Sequence, residues 1–307
     1  MRTENLEFTG ANGLRLPAVI WLPDGEPTRI LQVAHGMTEH IGRYTALARE
    51  LTARGIAVAG FDMRGHGKNP GNTAVASFGE NGWEAALEDM RLFFAQLETA
   101  YPGIPHDMLG FSLGSFLLRE YLSRYPEGIS RAAILGTGSQ PGPVLSVIMA
   151  IVKSQIRKAG FDSTTDLVRQ LSFGTYNQKF KPNRTPADWL CADEAQLDAY
   201  RADPLCRDDI SAGLFWQLLG AMKRTGSKDT YTNWNKDIPI LLLSGQDDPV
   251  GDAGKGVEAV KQQMEKAGIR DVTMHLLPNA RHDILHEEAS GAAASARKLL
   301  ADWLTNA

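Results

Sequence analysis

Cysteine is nearly absent: the 307 residues hold two, Cys191 and Cys206. That is too few for a disulfide framework or a zinc cluster, and unpaired structural thiols in a reducing compartment are expected. No apolar run is long enough to span a membrane. The opening Met1-Arg2-Thr3-Glu4-Asn5-Leu6 lacks the apolar stretch of a secretory signal, so a cytoplasmic protein is expected. Cations are not in excess either: 32 Lys and Arg against 36 Asp and Glu leave a net charge of −4, without the basic footprint of a nucleic-acid binder. There is no internal repeat, low-complexity tract, phosphate loop or dinucleotide fingerprint, and no spacing assembles a metal site. Neither a cofactor nor a metal is therefore expected. What remains is an ordinary globular composition, 43% hydrophobic and 22% charged, in a chain long enough for a large core.

Apolar, β-branched runs alternate with amphipathic stretches, which predicts a mostly parallel sheet with helices on both faces. Strands are read at Glu4–Thr9, Leu14–Leu22, Ile30–Ala34, Ile56–Phe61, Met108–Phe111 and Ala132–Gly136. Helices are read at Tyr44–Arg54, Trp83–Glu98 and Leu113–Ser123. In the second of these, Leu87, Met90, Phe94 and Leu97 fall at three- and four-residue steps and form one apolar face. After Gly136 the rhythm changes to helical segments near Val144–Lys158, Thr164–Leu171, Ala192–Arg201 and Leu214–Lys223. It resumes with strands at Ile238–Ser244 and Val272–Leu277 and helices near Val257–Ala267 and Ala289–Leu304. One α/β domain formed by residues 1–138 and 236–307, interrupted after its sixth strand by a helical insertion at 139–235, accounts for this order. The insertion has no second set of strands with which to build its own sheet.

The chemistry concentrates where strands end. Leu109-Gly110-Phe111-Ser112-Leu113-Gly114 puts a serine between two glycines at a strand-to-helix turn, the nucleophile-elbow pattern. A serine hydroxyl needs a base and an acid that orients it, and in this topology both follow later in the chain, acid first. The strand ending at Ser244 leads into Gly245-Gln246-Asp247-Asp248-Pro249, and the next leads into Pro278-Asn279-Ala280-Arg281-His282. Asp248 is the expected acid, with Asp247 a loop or salt-bridge residue; Asp252 and Asp283 are read as surface polar residues. His282 is the expected base. His275 lies within a strand and is read as a core or sheet-face residue, and His286 as a capping or packing one.

A tetrahedral intermediate also needs donors for its oxyanion. The N–H of Leu113 is one expected donor; the second is the N–H of Met37, in the loop His35-Gly36-Met37-Thr38-Glu39-His40. His35 is read as bracing that loop. Asp62-Met63-Arg64-Gly65-His66-Gly67 is expected to form a tight loop with Asp62 and Arg64 paired internally. In the insertion, the run from Val144 to Val152 is apolar nearly all round and ends in Lys153, Arg157 and Lys158. Partial burial with pocket lining is favoured there over docking on a membrane surface. Leu214, Phe215, Leu218, Leu219 and Met222 form a second apolar stripe, read first as a packing surface.

Together, His35-Gly36 with Glu39-His40, Asp62 through Gly67, the elbow, Asp248 and His282 resemble the monoacylglycerol lipase and lysophospholipase branch of the α/β-hydrolases. The resemblance covers most of the chain and is weakest over residues 139–235. Asp188-Trp189-Leu190, Tyr200, Asp203-Pro204 and Cys206 also look like the cap of bacterial lysophospholipases. It implies a mostly parallel eight-stranded sheet with a helical cap. Its site assignments would be Ser112 as nucleophile, Asp248 as acid, His282 as base, and Met37 and Leu113 as oxyanion donors. The implied activity is hydrolysis of esters with one acyl chain; transient membrane contact through the cap stays the less favoured reading of its apolar helix. The elbow departs from the lipase pattern, carrying Phe111 and Leu113 where His and Met are frequent. Two other enzymes share the fold: an acyltransferase, and a proline-type aminopeptidase, for which Glu194, Asp198 and Asp203 would be candidates to hold a substrate amine. A binding protein that lost the chemistry is the non-enzymatic alternative.

Overall fold

The computed structural model describes residues 1–69, 75–207 and 209–306. Its main sheet is built from β1 (Arg2–Thr9), β2 (Arg15–Leu22), β3 (Arg29–Ala34), β4 (Ile56–Phe61), β5 (His106–Phe111), β6 (Ile129–Leu135), β7 (Ile240–Gly245) and β8 (Val272–Leu277). These eight strands lie in the order β1-β2-β4-β3-β5-β6-β7-β8. Only the β1–β2 and β2–β4 pairings are antiparallel; the other strands run parallel.

The middle strands read as continuous apolar runs because both of their faces are covered. Alternate residues divide between two cores. On one face Ile30, Ala57, Met108, Ile134 and Leu242 pack under α2 (Gly82–Ala100), α3 (Leu113–Arg124) and α7 (Lys255–Lys266). On the other, Leu31, Val58, Leu109, Leu135 and Leu243 pack under α1 (Thr45–Thr52) and α8 (Ala292–Thr305). The predicted stripe Leu87, Met90, Phe94 and Leu97 is buried as one side of α2.

Between β6 and β7 the chain carries α4 (Gly142–Ala159), α5 (Glu194–Ala202) and α6 (Ala212–Thr225), with shorter helical turns between α4 and α5. The helices thus enter after the sixth strand of the sheet, as the sequence rhythm predicts. One feature of this region was not predicted. Asp209–Ile210 pairs in parallel with Val75–Ala76, a two-residue ribbon too short to carry a detectable period. The stripe on α6 is buried, and Leu145 and Val152 are buried on α4, whereas Val144, Val147 and Ile151 remain exposed. Among the described residues no helix is long and apolar enough to cross a membrane.

Candidate active site

Every candidate site residue lies just beyond the carboxyl end of a parallel strand. β5 runs into Ser112, which takes φ 51° and ψ −114° before α3 begins. That conformation is strained for a side chain with a Cβ, and the flanking glycines make it possible. A Cβ on Gly114 would collide with the carbonyl oxygen of Ala34, and one on Gly110 with the carbonyl oxygen of Gly114. The turn therefore presses its backbone against β3, which brings the loop after β3 beside the serine.

Three side chains meet there. His282 Nε2 lies 2.8 Å from Ser112 Oγ, and His282 Nδ1 lies 2.9 Å from both carboxylate oxygens of Asp248. A carboxylate accepts only, so Nδ1 carries the proton and Nε2 is left to accept from the serine hydroxyl. Asp248 is fully buried, and its remaining capacity is filled by Ser244 Oγ at 3.1 Å and the Val250 N–H at 2.8 Å. The imidazole sits between two rings, Phe111 and Trp189, with centroids 5.0 and 5.2 Å away.

The loop after β3 is held from below. His35 Nε2 accepts from the Met63 N–H at 3.0 Å, so its proton is on Nδ1, which donates to the Gly36 carbonyl at 2.7 Å. That carbonyl shares a peptide plane with the N–H of Met37. Burial lowers the His35 pKa, which keeps the ring in the neutral form this arrangement needs. Glu39 accepts from the Gly36 N–H at 2.6 Å and from Tyr44 Oη at 2.8 Å. Among the described residues, neither the Met37 N–H nor the Leu113 N–H donates to a protein group.

Beneath the site, Arg43 joins two loops: it pairs with Glu39 and, at 2.7 Å, with Asp283. Asp283, expected at the surface, is 2% exposed. Burial alone would raise its carboxyl, but His286 and Arg43 hold it well below the usual carboxylate range. His286 packs there as expected, its Nδ1 2.7 Å from Asp283. The expected Asp62–Arg64 pair is also corrected. Asp62 accepts from the N–H groups of Ile41 and Lys68, while Arg64 reaches across to Asp89 at 2.5 Å, because Asp89 faces it from α2. Asp247 and His275 are exposed, the latter on a sheet face.

Two cavities meet at Ser112. One of about 600 Å³ mixes apolar walls with charged and polar side chains, among them Glu39, Arg43 and Tyr200. The other, about 180 Å³, is lined largely by apolar side chains of α3, α4 and α6, among them Phe116, Leu145, Ile148 and Leu218. Met37, Phe173 and Trp189 border both.

The tightest metal-ligand grouping among the described residues is His40, Asp203 and Cys206, whose ligand atoms lie within 4.8 Å of one another. Its proton arrangement opposes a metal. His40 Nδ1 accepts from the Gly42 N–H at 3.2 Å, so Nε2 carries the proton and gives it to Asp203 at 2.9 Å. A metal-bound imidazole would instead donate through its other nitrogen.

The family model described as serine aminopeptidase, S33, matches residues 25–289. The chain belongs to that family. Among similar proteins, the monoacylglycerol lipase of Mycolicibacterium smegmatis is 25% identical over 91% of this chain and 90% of its own. The monoglyceride lipase of Homo sapiens is 28% identical over 92% and 84%. A thermostable carboxyl esterase from Bacillus coagulans, solved in complex with glycerol, has the same fold, with TM-score 0.87, 24% identity and coverage of 99% and 98%. A lipase solved in an open form gives TM-score 0.87 and 25% identity over 100% of both chains. This S33 hydrolase thus falls in the monoacylglycerol-lipase-like branch of the α/β-hydrolases. The contributions of Trp189 and Tyr200 to the site were not read from the sequence, since each acts through contacts with distant segments; that of Ser244 was missed although Asp248 is only four residues on.

Proposed function

We propose that the protein is a serine hydrolase that cleaves carboxylic esters with one acyl chain, monoacylglycerols or lysophospholipids, through an acyl-serine intermediate. The observation that carries this is the unbroken Asp248–His282–Ser112 hydrogen-bond chain at the junction of two cavities, one walled by apolar side chains of α3, α4 and α6 and one bordered by charged side chains. His282 takes the proton of Ser112 as Oγ attacks the ester carbonyl, then returns it to the departing alcohol. Water repeats the cycle on the acyl-enzyme. Asp248 holds the imidazole tautomer and steadies its charge. The N–H groups of Met37 and Leu113 receive the oxyanion, a contribution typically of about 3 kcal/mol per donor. The acyl chain lies in the cavity walled by α3, α4 and α6, and the alcohol in the one bordered by Glu39, Arg43 and Tyr200.

In this proposal residues 139–235 form the cap over the site, and the exposed Val144, Val147 and Ile151 on α4 supply transient contact with a lipid surface. The two thiols, both unpaired, support a cytoplasmic placement. The aminopeptidase alternative loses its acids: Glu194 and Asp198 pair with Arg184, and Asp203 faces His40. Ser112→Ala is expected to abolish hydrolysis of a p-nitrophenyl acyl ester while leaving the thermal unfolding curve in place. Retention of more than a few per cent of activity would refute Ser112 as nucleophile. A panel of glycerol, phosphoglycerol and prolyl-anilide substrates then ranks the head groups, with the anilide expected inert.

A further inference from the structure

The residue after the expected oxyanion donor is held from the helical insertion. Thr38 has φ 65°, a conformation a β-branched residue keeps only when its surroundings impose it. The Thr38 hydroxyl donates to the Met37 carbonyl at 2.5 Å, so its oxygen is left to accept, and Tyr200 Oη lies 2.7 Å from it. The Tyr200 O–H therefore faces two acceptors, Thr38 Oγ1 and, at 3.3 Å, the Thr38 carbonyl; through the shorter bond it completes a relay to the Met37 carbonyl. Burial raises the Tyr200 phenol pKa, so the proton stays in place for this bond. The Arg207 N–H adds a bond to the Thr38 carbonyl at 2.9 Å. The Tyr200 ring is fixed in turn under Arg43, whose guanidinium carbon lies 4.9 Å from the ring centroid.

We infer that Tyr200 is a positioning residue: through Thr38 it fixes the Met37–Thr38 peptide from the cap side, while His35 fixes the adjoining Gly36–Met37 peptide from the core side, so that the Met37 N–H is held between two anchored peptides. The inference rests on the acyl-serine reading above and goes beyond it by making the cap part of the oxyanion loop. Tyr200 also borders the larger cavity, so a contact with the leaving alcohol is the competing role. The two roles separate kinetically. The oxyanion forms in acylation and again in deacylation, whereas the alcohol has departed before deacylation begins.

The experiment is burst kinetics with a p-nitrophenyl acyl ester, in which the burst amplitude counts active sites and so corrects for misfolded protein. A misplaced oxyanion donor costs on the order of tenfold to hundredfold in rate. Tyr200→Phe, which keeps the ring on Arg43, is expected to slow both steps by that amount and by similar factors, so that KM holds while kcat falls. Thr38→Ala is expected to do the same, Thr38→Ser to retain activity, and the double variant Tyr200→Phe/Thr38→Ala to lose no more than the worse single one. Deacylation within twofold of the parent enzyme in Tyr200→Phe, or multiplicative losses in the double variant, would overturn the inference. Absence of a burst in the parent enzyme, with no label on Ser112 from a fluorophosphonate, would instead overturn the acyl-serine reading on which it rests.

Discussion

Asp248 carries the sharpest expectation at the scale of single residues. Its carboxylate accepts from His282 Nδ1, Ser244 Oγ and the Val250 N–H with no solvent contact. Asp248→Asn keeps the shape but offers an amide N–H toward the imidazole, which favours the tautomer with its proton facing Ser112. The expected cost is on the order of 10⁴ in kcat, with little change in unfolding temperature. A loss below about tenfold, measured on an activated ester, would remove Asp248 from its role. That Ser112, Asp248 and His282 would meet was legible because each falls in the loop or turn that follows a strand, a pattern local to a few neighbours. Asp283 was not legible. Its neighbours in sequence look like a surface turn, and its burial depends on Arg43, which lies far away along the chain but 2.7 Å away in space. Arg64 was misread for the same reason: its partner Asp89 belongs to a helix the local pattern does not connect to it.

At the scale of elements, the β5–α3 turn and the β5 strand each yield an expectation. Gly114→Ala would drive a methyl into the Ala34 carbonyl, and rigid backbone on both sides leaves no room to relax. Destabilisation of about 2–3 kcal/mol is expected in urea unfolding, and an unchanged midpoint would contradict the close approach of β5 and β3. His106, at the start of β5, has the opposite sign. It is 3% exposed, stacks on Phe94 with centroids 3.9 Å apart, and neither ring nitrogen has a partner among the described residues. His106→Phe keeps the stack and removes two unsatisfied polar atoms, so a gain of about 1–2 kcal/mol is expected. The strands and long helices were read within a few residues of their observed bounds because their apolar periods run over several turns. The Val75–Ala76 ribbon has no such period, and the burial of Leu145 beside exposed Val144 reflects what α4 packs against rather than its own sequence.

For the whole molecule, buried histidines contribute to the response to acid: His35, lowered by burial as above, and two more. Burial lowers His66 to about 3 and His106 to about 4 from an ordinary value of 6.5, with His35 and Arg207 also acting on His66. Below pH 6.5 the unfolded chain takes up protons that the folded one refuses, so stability is present above that pH and is lost as the pH falls toward 4. Each histidine contributes a slope of about 1.4 kcal/mol per pH unit in that window. Urea unfolding at pH 7, 6 and 5 is expected to trace this loss, and His106→Phe to make it shallower; parallel curves would rule His106 out as a source.

Helix α6 has a double attachment with a consequence for redesign. Leu218, Leu219 and Met222 line the apolar cavity, while the same helix packs on α3 and its Thr225 carbonyl accepts from Arg119 at 2.8 Å. Enlarging the chamber from that wall would also loosen the roof of the sheet, so substrate range and heat tolerance would trade against each other there. The α4 wall, where Val144 and Ile148 sit at 50% and partial exposure, answers to fewer neighbours. Directed evolution toward longer or bulkier chains should accumulate its tolerated changes on α4 first.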